Sequence, residues 1–98
     1  MHIAWIGGLT RSLDRYEEEA RRLGHALHTH DGVVGGTGSA SLQSVLLRAD
    51  LIIALTEVNS HGAIGLARRA SVEYGKPFFL LRKCGTARFR ELMLRMAA

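Results

Sequence analysis

Four short, largely apolar stretches restrict what this chain can fold into: His2 to Ile6, Ala26 to Thr29, Leu51 to Leu55 and Phe78 to Leu81. Each is strand-length and continuous rather than alternating, as expected of strands buried on both faces. Such strands need helices above and below. The segments between them supply helical spacing: Leu13, Tyr16, Ala20 and Leu23, then Leu42, Val45, Leu46 and Ala49, then Ile64, Ala67 and Ala70, and last Phe89, Leu92, Met93 and Met96. Ser12, Ser41, Ser60 and Thr86 are the expected helix starts, and Gly24 and Gly75 stand where helices close in a left-handed cap. Strand-helix alternation with short connections predicts an α/β fold: a four-stranded parallel sheet in the order 2-1-3-4, doubly wound, with right-handed crossovers and helices on both faces.

With 98 residues, 47% of them hydrophobic, the chain can build one core and no more, so residues 1–98 read as a single domain. The lone Cys84 has no internal disulfide partner, and the first residues lack the basic stretch and apolar run of a signal peptide. A cytoplasmic protein is expected. No apolar run approaches the roughly 20 residues of a membrane helix. A formal net charge of +4 suits an anionic partner without selecting one, and no nucleic-acid motif stands out.

In an open parallel sheet, ligands bind beyond the carboxyl ends of the strands, where helix amino termini direct free amides into the crevice. The residues at that rim are Gly7-Gly8, His28-Thr29-His30-Asp31-Gly32, Thr56 to His61, and Arg82-Lys83-Cys84. Three of the five histidines fall there. His28 and His30, two apart on an extended segment, should face the same side. His61 should lie in the first turn of the third helix, where the helix dipole disfavours imidazolium and keeps a nitrogen free for a metal. A histidine at a strand end or helix start also serves commonly as a surface hydrogen-bonding residue. His2 and His25 sit at the opposite edge and are given no ligand role.

Other chemistry is thinner. Gly7-Gly8 permits either a sharp turn or an anion nest, and Gly35-Gly36-Thr37-Gly38-Ser39 lacks the lysine of a phosphate-binding loop. The glycine-rich stretch from Gly32 to Ser39 reads as a mobile loop. Arg11, Arg82, Lys83 and Arg88 are placed to neutralise carboxylates or phosphates, although solvated surface charge is their commoner fate. Glu17-Glu18-Glu19 with Arg21-Arg22 reads as an exposed helix face. Cys84 beside Lys83 is the one nucleophile candidate, with His30 or His61 as base. Holding a ligand is the expected role, rather than catalysis.

The Gly-Gly turn after the first strand, His30-Asp31-Gly32, Ala49-Asp50-Leu51-Ile52-Ile53, Thr56 to His61 and Gly75-Lys76-Pro77-Phe78 together resemble the bacterial family DUF2325 over nearly the whole chain. Ser60-His61, joined to a histidine near Asp31, is the most specific element. The resemblance implies a small Rossmann-like three-layer domain and haem b held by histidine, with dioxygen bound or sensed. It assigns His61 as proximal iron ligand and His30 as a distal or second axial group. His28 is an additional candidate, and the glycine-rich loop departs from the more polar pattern expected of the family.

Haem would be covered by Val33, Val34, Val58 and Ile64 and met at its propionates by basic residues such as Arg82. So small a domain has little room to enclose it, which makes a homodimer the expectation. The alternatives are a zinc or other divalent-metal site built from His28, His30 and His61 with Asp31 or Glu57, and an anion- or nucleotide-responsive regulatory domain using the glycines and basic residues.

Overall fold

The computed structural model describes residues 1–7, 13–32, 35, 37–55, 61–82 and 86–97; the side chains of Leu13, His61, Thr86, Met96 and Ala97 lie outside that description. The elements alternate as β1 (His2–Ile6), α1 (Leu13–Arg22), β2 (Ala26–His30), α2 (Gly38–Arg48), β3 (Leu51–Leu55), α3 (His61–Tyr74), β4 (Phe78–Leu81) and α4 (Thr86–Ala97). The four strands form one parallel sheet in the order β2-β1-β3-β4, the expected doubly wound, Rossmann-like arrangement.

Strand parity sorts the apolar residues into two layers. Ile3, Trp5, Leu51, Ile53 and Leu55 face α1 and α4, where they pack on Tyr16, Ala20, Phe89, Leu92 and Met93. Ala4, Ile6, Ile52 and Ala54 face α2 and α3, against Leu42, Leu46, Ala63, Ala67 and Ala70. In the first layer Trp5 and Phe89 meet edge to face at 5.2 Å between ring centres, and Tyr16 lies 4.8 Å from Phe89. The buried Trp5 Nε1 has no hydrogen-bond partner among the described residues.

Two of the four strands are not buried as expected. β1 and β3 are covered on both faces, whereas β2 and β4 are the sheet's edges and partly exposed; Phe79 retains 37% and Leu80 39% of its surface. An apolar run alone does not reveal which strands have two neighbours. β2 also extends one residue further than expected, so His30 is its last residue rather than part of the following loop.

The connections are tied by identifiable bonds. Gly24 and Gly75 take positive φ, +84° and +65°, closing α1 and α3 as the sequence suggested. Lys76 Nζ donates to the carbonyls of Leu46 (2.7 Å) and Leu47 (2.9 Å), satisfying the negative end of α2 from the strand entering next to it. His25 is buried, and its Nε2–H donates to the Met93 carbonyl at 3.1 Å, which gives it a structural role. Glu19 is not part of a freely solvated face: it is half-buried and bonds Arg90 at 2.7 Å, joining α1 to α4. Among the described residues no helix is long and apolar enough to cross a membrane.

Phe89→Ala should lower the unfolding free energy in urea by about 3–5 kcal/mol, because it removes a fully buried ring from the aromatic cluster. Val72→Ala, at a side chain 82% exposed, should change it by no more than about 0.5 kcal/mol.

Candidate functional site

α2 and α3 both begin at the carboxyl edge of the sheet and lie on the same face, so that edge carries two helix amino termini side by side. His30 ends β2 beneath them. It pairs in register with Ile6, which pairs with Ala54, and both of those residues face α2 and α3. Its carbonyl accepts the Gly7 amide at 2.7 Å, fixing the end of β2 to the turn after β1.

His30 is 8% exposed, and its Nδ1 accepts the Gly32 amide at 2.9 Å. Gly32 reaches that position with φ +83°, a conformation open to glycine. A nitrogen that accepts an N–H carries no proton, so the proton of neutral His30 sits on Nε2. Asp31 Oδ1 lies 3.5 Å from the same Nδ1, which suggests an ion pair. The shorter Gly32 bond excludes it, since Nδ1 cannot accept that amide and also present a proton to Asp31.

A polar hollow of about 420 Å³ opens next to His30, lined also by Thr29, Asp31, Gly35, Thr37, Gly38 and Ser41. The sequence placed the start of α2 at Ser41, but the helix caps on Thr37 and already includes Gly38 and Ser39, which shortens the expected glycine-rich loop. Thr37 makes no side-chain cap bond, and the first turn has no acidic residue. Gly38 N–H donates to Gly35 O and Ser41 N–H to Thr37 O, while the amides of Ser39 and Ala40 meet no acceptor among the described residues. Thr37 and Ser41 were missed as lining residues; the signal was a run of Thr, Gly and Ser offering several equivalent caps.

His61 is the first residue of α3, as the sequence indicated, and its backbone therefore stands at the positive end of the helix. Ile64, one turn on, is half-buried, and Arg82 is exposed just beyond β4 on the same edge. Arg88 is exposed on α4. Val58 and the rest of 56–60, with Gly8, Arg11, Val33, Val34, Lys83 and Cys84, lie outside the described residues.

His28 is placed differently from the rim expectation. Its Nε2 is 2.8 Å from Nδ1 of His2, a residue given no role from sequence, and the ring centres are 5.0 Å apart. His28 shares strand parity with His30 but is engaged towards the amino-terminal edge. Partial burial holds its imidazole below the usual pKa, helped by the His2 ring and by the Arg48 charge. Beside it, Asp50 Oδ2 accepts the His2 backbone amide at 2.7 Å, and that bond holds the carboxyl below its usual range. Among the described residues no three His, Cys, Asp or Glu side chains converge as a metal site.

The model of a family described as an uncharacterised protein conserved in bacteria, DUF2325, matches residues 2–96. No curated protein and no solved structure matches the chain.

Asp50, ionised more readily in the folded chain than in the unfolded one, contributes stability that is present above the ordinary carboxylate pKa and is lost as pH falls through the depressed value. Asp50→Asn should therefore be less stable than the parent at pH 7 in urea unfolding. The gap should close on acidification; a gap that stays constant into acid would contradict the role given to the carboxylate.

Proposed function

The chain belongs to the DUF2325 family, and from that premise we propose that it binds haem b through His61, with His30 as a hydrogen-bond donor on the distal side, in a cytoplasmic protein that carries or senses dioxygen. The observation that carries this reading is the bond from the Gly32 amide to His30 Nδ1. An imidazole that ligates a metal presents a bare nitrogen to it and usually donates the other N–H to a carbonyl or carboxylate. His30 is held the opposite way round, with its proton on Nε2. It is therefore prepared to donate rather than to ligate, and this favours the distal role over that of second axial ligand.

His61 would hold the iron, since its backbone stands at the amino terminus of α3, on the carboxyl edge of the sheet. Haem supplies an iron centre at which a small diatomic ligand can be held, and the protein's part is to orient and shield it. His30 is nine-tenths buried, and the Gly32 bond holds its ring in one orientation. In this reading Ile64 and Val58 would give apolar cover, and Arg82 would bring positive charge to the propionates. His28, engaged by His2, is left out of this set.

A homodimer is part of this reading. The open edge of β4 presents unpaired backbone groups with Phe79 and Leu80 exposed, and the strand has none of the lysines or prolines that usually protect such an edge. A second copy pairing along β4 would cover it. Light scattering should report a dimer for the parent and a monomer for Leu80→Lys; a monomeric parent would remove the dimer and leave the haem assignment standing.

A second reading rests on a different observation, the polar hollow beside His30 at the start of α2. Thr37 and Ser41 on its wall, with His30 Nε2–H, would bind an oxyanion, such as a nucleotide phosphate, in a regulatory domain without iron. The Asp31 carboxylate on the same hollow opposes an anion, which ranks this reading second.

Haemin titration should give a sharp Soret band that saturates at a fixed ratio of haem to protein, and His61→Ala should lose the axial-ligand spectrum. His30→Leu should keep the band but weaken dioxygen binding by about tenfold or more, the equivalent of one charge-assisted hydrogen bond. No saturable band, together with phosphate binding that survives His61→Ala, would transfer the assignment to the oxyanion reading.

A further inference from the structure

We infer that His2 and His28 form a second ligand site, for a divalent transition-metal ion, at the amino-terminal edge of the sheet. The site depends on register. His2 pairs with Ala26 and His28 with Ala4, so the two histidines are diagonal neighbours on adjacent parallel strands and, by parity, on the same face. His2 Nδ1 and His28 Nε2 lie 2.8 Å apart while the ring centres are 5.0 Å apart, so the rings meet through these two nitrogens rather than face on.

A single proton bridges the neutral pair. One nitrogen is thus already bare, and the other becomes so when its ring moves a proton to its far nitrogen, with no net loss of a proton. Two imidazole nitrogens at about 2.0–2.1 Å from one ion, at the angles of tetrahedral or square coordination, lie roughly 3–3.4 Å from each other. A separation of 2.8 Å needs only a small opening of exposed rings to admit the ion. Water fills the remaining positions, in keeping with a site of two protein ligands.

The surrounding charge is mixed. The Asp50 carboxylate, fixed by the His2 amide at 2.7 Å, favours a cation, while Arg48 near His28 opposes one. Imidazole donors select zinc, nickel and copper over magnesium or calcium. The carboxyl rim with His30 and His61 is at the other end of the strands, so this site is independent of the haem assignment.

The test uses the full chain without haem and Zn²⁺ alone, followed by isothermal titration calorimetry. The parent, His30→Leu and His61→Ala should each bind one Zn²⁺ with the same affinity, while His2→Gln and His28→Gln should each bind about tenfold or more weakly. With Cu²⁺, electron paramagnetic resonance should show coupling to two imidazole nitrogens in the parent and to one in His2→Gln. His2 is exposed, so its variant remains informative even if His28→Gln impairs folding. Absence of saturable Zn²⁺ uptake by the parent, undiminished affinity in His2→Gln, or loss of binding in His61→Ala would each overturn the inference.

Discussion

β1 and β3 have no face that can meet water. Residues 3–6 of β1 and all of β3 are buried, with their side chains divided between two layers, so the sheet is stable only when helices cover both sides. Everything else is arranged around that demand. The two layers are made differently: α1 and α4 bring aromatic bulk to Trp5, whereas α3 presents Ala63, Ala67 and Ala70, whose small side chains bring its backbone close to Ala54 and Ile52.

Much of this was legible in the residues. The strand positions, the alternation and the sheet order follow from apolar runs separated by helical periods, because burial on two faces and short connections leave few topologies. The exposure of β4 was not legible: Phe78 to Leu81 reads as apolar as Leu51 to Leu55, and only sheet order makes one an edge and the other a centre. The start of α2 was missed for a related reason. Thr37, Ser39 and Ser41 are all competent caps, and the one used, Thr37, makes no side-chain cap bond that would mark it out.

The candidate site divides in the same way. Its position at the carboxyl edge follows from fold class, and the rim histidines could be marked in advance. The direction of a proton could not. Whether His30 ligates or donates turns on one backbone amide two residues away and on a positive φ at Gly32. The partner of His28 was equally hidden, since spacing within β2 says which face a residue takes but not how far its ring leans along the strand. Parallel register supplies the missing step by bringing His2 next to it.

Placed by what each ring nitrogen touches, four of the five histidines fall into three arrangements. His25 spends Nε2–H on a buried carbonyl and is structural. His30 has its Nδ1 occupied and its Nε2 proton left for whatever enters the rim. His2 and His28 share one proton between two nitrogens, so neither is committed as donor. A committed donor recognises an acceptor, whereas a pair with interchangeable protons can yield its lone pairs to a cation. The same side chain therefore carries opposite chemistry at the two ends of one sheet, and the difference is set by the backbone that holds each ring.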